Sequence, residues 1–71
     1  MDDSKRQDIK NKLKEVERAI IKSGAEPCKQ IAEYILSEDP IYIPDIDGAR
    51  STIRKLDRDD ILAEIISDYL K

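Results

Sequence analysis

The sequence predicts an all-α fold, a compact bundle of about four short helices that forms a homodimer. Three observations carry this expectation. Apolar residues recur at spacings of three and four through most of the chain. Glycine and proline fall between those periodic stretches, at Gly24, Pro27, Pro40, Pro44 and Gly48. The core is short of bulk, because 71 residues that are 39% hydrophobic include no Phe and no Trp, leaving Ile, Leu, Val and the three tyrosines Tyr34, Tyr42 and Tyr69. A domain of this length buries only about 60% of the surface its unfolded chain exposes. Disulfides, a metal or self-association normally support such a scaffold. Cys28 is the single cysteine and histidine is absent, so self-association is the support that remains.

In the first segment Ile9, Leu13, Val16 and Ile20 follow one another at four, three and four residues and line one helical face. Asp2, Asp3 or Ser4 caps the start and Gly24 supplies the stop, which places helix one at 4–23. Pro27 suits a first helical turn, where its missing N–H costs nothing. Helix two then runs to Ser37 with Ile31, Ile35 and Leu36, joined by Ala32, facing inward. Pro40 and Pro44 prevent a regular helix and push the residues before them towards extended geometry, making 38–45 the principal loop. Ile41, Tyr42 and Ile43 give that loop reason to pack on the helices or on a partner. Asp47 is the expected N-cap of helix three over 48–56, with Ala49, Ile53 and Leu56 inward. Asp57 followed by Asp60 reads as an approximate capping box for helix four, whose broad apolar face is Ile61, Leu62, Ile65, Ile66, Tyr69 and Leu70. The whole of 1–71 is expected to form one domain.

Charged residues make up 41% of the chain and are unevenly spread. Residues 1–22 carry seven basic and five acidic groups, 23–49 one and six, and 50–71 five and five. The overall charge of −3 disfavours a general nucleic-acid binder, whose footprint is basic. Helices three and four invite comparison with a helix-turn-helix DNA reader, but Asp59, Asp60, Glu64 and Asp68 would turn an acidic side to the phosphates. No nucleic-acid partner is therefore expected. No apolar run approaches the roughly 20 residues that span a bilayer, and 1–14 lacks an apolar signal-peptide core, so a cytoplasmic location without membrane insertion is expected.

Enzyme chemistry finds no seat. One cysteine without histidine builds neither a nucleophile pair nor a zinc cluster, and Cys28 reads as an ordinary helix residue. Asp45-Ile46-Asp47-Gly48 superficially suggests a calcium loop, yet aligning Gly48 with the loop's invariant glycine puts Ile43 and Arg54 at its first and last ligand positions. Asp57, Asp59 and Asp60 are explained by helix capping and the helix dipole. Gly24 and Gly48 are too far apart for a phosphate loop. No cofactor is expected. The best site from spacing is Arg50, Arg54 and Arg58, which would line one side of a helix continuing through Asp57; the competing reading is a solvated face paired with nearby aspartates. Tyr42 is either a packing anchor or an exposed contact residue.

Taken together these residues resemble the IreB family, also called ReoM, of small regulatory phosphoproteins from Gram-positive bacteria. The likeness runs from Asp2-Asp3-Ser4 to Tyr69-Leu70-Lys71. It is densest in Gln30-Ile31 with Tyr34-Ile35-Leu36-Ser37, Asp39-Pro40 with Tyr42-Ile43-Pro44, Ala49-Arg50, and Ile53-Arg54-Lys55-Leu56-Asp57-Arg58-Asp59. The resemblance implies a helical homodimer without catalysis that is a cytoplasmic target of a PASTA-domain serine/threonine kinase. In the unphosphorylated state such a protein restrains peptidoglycan synthesis by promoting Clp-protease degradation of UDP-N-acetylglucosamine carboxyvinyltransferase, and phosphorylation relieves the restraint. Loss of that restraint is linked to cephalosporin tolerance.

The resemblance places the phosphoacceptor threonines upstream of the Asp-Asp-Ser motif, where this sequence begins, so the usual switch is expected to be absent or trimmed away. Thr52, the only threonine, does not correspond to them, and Ser4, the nearest tail hydroxyl, is better explained as an N-cap. Family members carry a basic residue after Tyr-Ile-Pro where this chain has Asp45, while the following arginine is kept as Arg50. An anion in place of a cation would repel an acidic partner contact. Gly24-Ala25-Glu26-Pro27 also lacks the family's Tyr-Asn pair between Gly and Pro. The expected partner surface is Arg50, Arg54 and Arg58 with Tyr42 and Asp45. Alternatives are a nucleic-acid-binding helical domain and an interaction module without a switch.

Overall fold

The computed structural model describes residues 3–71, and over these every regular element is a helix, as expected. Helix α1 spans Asp3–Lys22, α2 Pro27–Ser37, α3 Ala49–Arg54 and α4 Arg58–Tyr69, with a short 3₁₀ turn at Pro40–Tyr42. Asp2, one of the candidate caps, lies outside the described residues.

Helix α1 is the spine on which the others pack. Its inward face is the one its spacing predicts: Ile9, Val16 and Ile20 are buried together with Ala19, and Leu13 is half-buried. It stops at Gly24, which adopts φ +87°. The Gly24 N–H donates to the Ile21 carbonyl and the Ala25 N–H to that of Ile20, so two terminal carbonyls are satisfied by a left-handed cap that glycine enters without steric cost. Pro27 opens α2 as predicted, and the Glu26 carboxylate caps it by accepting from the Lys29 N–H at 2.7 Å.

The inward face of α2 differs from the predicted one. Tyr34 is buried, Ile31 and Ile35 are half-buried, and Leu36 and Ala32 point outward, Leu36 being 81% exposed. Tyrosine supplies more apolar area than leucine. A face centred on Ile31, Tyr34 and Ile35 therefore buries more than one centred on Leu36.

Helix α3 is shorter than the expected 48–56, and its N-cap is Gly48, not Asp47. Asp47 and Gly48 both take left-handed conformations, φ +52° and +72°. Such a path turns the Asp47 carboxylate away from the helix start, and it pairs instead with Lys22 at 3.2 Å. Ala49 and Ile53 are buried and Leu56 half-buried, as predicted, against α1.

Helix α4 departs most from expectation. Asp57 is its N-cap but makes no side-chain cap hydrogen bond, and Asp60 pairs with Lys5 at 3.2 Å, so the capping box is not formed. Of the six apolar residues expected to face inward, Ile61 alone is fully buried. The other buried position on this helix is Glu64. None of the described helices is long and apolar enough to cross a membrane.

Candidate partner-docking surface

The loop after α2 is shaped by local proline chemistry and then held by side chains from two helices. Asp39 accepts the Ile41 N–H at 3.0 Å while Pro40 starts the 3₁₀ turn. Ile43 is completely buried, and Tyr42 is half-buried against the core, so Tyr42 serves as a packing anchor. Gln30 of α2 donates to the Tyr42 carbonyl at 3.0 Å, and Arg50 Nε of α3 donates to the adjacent Ile43 carbonyl at 2.7 Å. Beyond it Asp45 is exposed and makes no hydrogen bond or ion pair among the described residues.

The three arginines do not form one stripe, because α3 ends at Arg54 and a new helix begins at Arg58. Each has a different task. Arg50 is half-buried and braces the loop. Arg58 reaches across to the end of α2, where one guanidinium nitrogen donates to the Ile35 carbonyl at 2.6 Å and another to Glu38 Oε1 at 2.5 Å. Glu38 is the α2 C-cap, in a left-handed conformation at φ +61°, so Arg58 fastens a strained helix end to the start of α4. Arg54 is exposed and makes no hydrogen bond or ion pair among the described residues.

Arg54 stands at the edge of an open groove of about 740 Å³ whose walls include Tyr34, Pro40, Leu56 and Arg58. Glu38, Asp57, Asp59 and Asp60 also line it. With Arg58 committed to Glu38, the groove is not a basic patch but an acidic one carrying a single uncommitted cation. That distribution runs against phosphate binding. Cys28 is exposed, Ser4 is exposed in the first turn of α1, and Thr52 is half-buried in α3. No cluster of metal-ligating side chains exists among the described residues.

Sequence reasoning missed a second polar centre, between α1 and α4. Glu64 is 3% exposed, accepts from Arg6 Nε at 2.9 Å and lies 3.5 Å from Lys10 Nζ. Arg6 also donates to Ser67 Oγ at 3.4 Å. The signal was positional, since Glu64 follows buried Ile61 by one turn while Arg6 precedes buried Ile9 by one turn. The hydrogen bond from Arg6 holds the Glu64 carboxyl below its usual range, against the opposing cost of desolvation and with help from the Arg6 and Lys10 charges. The same bond and the Glu64 charge raise the Arg6 guanidinium further.

A carboxylate with a depressed native pKa contributes stability above its unfolded value, about 4.3, and loses that contribution as pH falls through the native value. Urea midpoints of the native protein are therefore expected to drop as pH falls below about 4. Glu64→Gln should be less stable near neutrality and show a flatter dependence over that interval. Parallel curves for the two proteins would remove Glu64 from the account.

The surface thus combines a braced, proline-shaped loop, an uncommitted arginine and a helix-to-helix clasp, without nucleophile, metal cluster or phosphate cradle among the described residues. The sequence model of one family, described as the IreB regulatory phosphoprotein, matches residues 1–71, the full length of the chain. With that match covering every element described above, the chain belongs to the IreB regulatory phosphoprotein family.

Proposed function

We propose that this chain is a non-enzymatic cytoplasmic adaptor that restrains peptidoglycan synthesis by directing UDP-N-acetylglucosamine carboxyvinyltransferase to Clp-dependent degradation. A PASTA-domain serine/threonine kinase relieves the restraint, and cephalosporin resistance changes with it. The protein works as a homodimer. The observation that carries this reading is membership of a regulatory phosphoprotein family over the whole chain. The geometry supports a docking role, because the loop is held at its Tyr42 and Ile43 carbonyls by Gln30 and Arg50 and Arg54 lines the adjoining groove without an internal partner.

Within the proposed surface of Arg50, Arg54, Arg58, Tyr42 and Asp45, the residues contribute unequally. Arg54 and Asp45 reach the partner directly, whereas Arg50, Arg58 and Tyr42 hold the surface in shape. Immobilised protein is expected to retain the purified carboxyvinyltransferase or the Clp ATPase, and Arg54→Ala to weaken that retention about tenfold, as for loss of one charge-assisted contact. Circular dichroism should show Arg54→Ala to be folded normally. Failure of the native protein to retain either enzyme would sink the adaptor reading.

A further inference from the structure

Membership of a regulatory phosphoprotein family calls for a hydroxyl that can take a phosphate, and the serines and threonine of this chain differ in their fitness for it. Ser23 Oγ donates to the Ile20 carbonyl at 2.6 Å and Ser37 Oγ to that of Glu33 at 2.7 Å. Thr52 is half-buried. Ser67 accepts from Arg6, but that guanidinium already holds the buried Glu64. Ser4 has Asp8 one helical turn on, where a phosphate would meet like charge.

Ser51 has a different setting. At about 100° per residue it lies on the side of α3 opposite buried Ala49 and Ile53, and it is exposed. Arg54 and Lys55 follow at three and four residues, the spacings that make neighbours on a helix surface, and the backbone stays in the α region through Lys55. Both side chains are exposed, and neither makes a hydrogen bond or ion pair among the described residues.

We propose that Ser51 is a phosphoacceptor whose phosphate is taken up by Arg54 and Lys55, withdrawing Arg54 from the docking partner. This control rests on the adaptor reading above and specifies how its surface is switched off. In the transfer, Ser51 Oγ attacks the γ-phosphorus of ATP held by a serine/threonine kinase. The Oγ–P bond forms as the bond from that phosphorus to the β,γ-bridging oxygen breaks; the hydroxyl proton passes to the kinase's base and ADP leaves. A phosphoserine carries about −1.5 to −2 charges at pH 7, enough to offset both cations, and it gains charge-assisted hydrogen bonds from them. The acidic walls of the groove beside Arg54 disfavour a free phosphate. One tethered a single turn away acts at high effective concentration, and Lys55 stands outside those walls.

The full chain serves for each test. Incubation with ATP and a purified PASTA-domain kinase, followed by tandem mass spectrometry, should place phosphate on Ser51. Phosphate confined to other residues, or none, would overturn Ser51 as the acceptor. In a chain made with phosphoserine encoded at position 51, the phosphorus-31 resonance should titrate at least about 0.5 unit below the ordinary phosphoserine value of about 6. Combining Arg54→Ala with Lys55→Ala should return the titration to that value, and an unshifted titration in the parent would overturn the capture. Phosphoserine at 51 should weaken retention of the carboxyvinyltransferase or the Clp ATPase about tenfold, with Arg54→Ala adding little to that loss. Undiminished retention would overturn the withdrawal of Arg54. If the unmodified chain retains neither enzyme, the adaptor reading fails, while the mass mapping and the titration, which need no partner, still decide the acceptor and the capture.

Discussion

Ile53→Ala is expected to remove about 2–5 kcal/mol of stability, enough to leave the chain marginally folded at 25 °C. Ile53 has no exposed surface and joins α3 to the buried face of α1 near Val16 and Ile20. Truncation to alanine leaves a cavity that the neighbouring helix cannot fill, because α3 is fixed on both sides, by the Asp47–Gly48 turn and by the entry to α4. A 71-residue domain has roughly 4–10 kcal/mol in total at the usual stability per residue. Urea unfolding followed by circular dichroism measures the loss. Leu36→Ala, at a leucine that the sequence placed inside and the fold places outside, should change stability by less than about 0.5 kcal/mol. Equal losses for the two substitutions would mean that the core is assigned wrongly.

Arg58→Ala has the second largest expected effect, about 1.5–3 kcal/mol, the range for hydrogen bonds made by charged groups. The substitution leaves the Ile35 carbonyl and Glu38 without their shared donor. Glu38 then keeps its left-handed conformation with less to hold it there. Hydrogen exchange should quicken at the backbone amides of 38–43 while the centre of α1 stays protected. Arg58→Lys should recover less than half the loss, since an ammonium lacks the planar fork that serves both acceptors. Arg54→Ala, without a contact to lose, should leave the midpoint in place. If Arg54 and Arg58 variants lose equal stability, the division of labour between them is wrong.

The elements with clear local signals were legible from residue order alone. The inward face of α1 follows from Ile9, Leu13, Val16 and Ile20, and both ends of α2 follow from Pro27 and the Pro40 to Pro44 segment. Misreadings arose where apolar content was equated with burial. In α4 the apolar residues outnumber the space available beside α1, and the face that docks contains Ile61 and Glu64, whose Oε2 accepts from Arg6 while its buried Oε1 accepts no hydrogen bond and has only the Lys10 charge 3.5 Å away, both cations coming from the far end of the chain. A pairing across 58 residues has no local signature. The arginine spacing was visible, but its meaning depended on whether a helix continued through Asp57. The chain bends there, sending Arg50 and Arg58 to backbone carbonyls and leaving Arg54 alone in solvent. Capping at Asp47 failed for a related reason, since its left-handed backbone points the carboxylate at Lys22.

The two consecutive carbonyls held by Gln30 and Arg50 bear on recognition kinetics. A surface loop ordinarily surrenders conformational freedom when a partner arrives, at about 1–2 kcal/mol per residue fixed. Here the ordering of Tyr42 and Ile43 is completed during folding, by donors anchored on separate helices. The proposed partner, were it to dock at this edge, would therefore encounter a shape already set, and affinity gained by preorganisation would add no contact area. Weakening either donor should leave the encounter geometry available but intermittently populated, so that apparent affinity falls in proportion to the fraction of time the loop is in place.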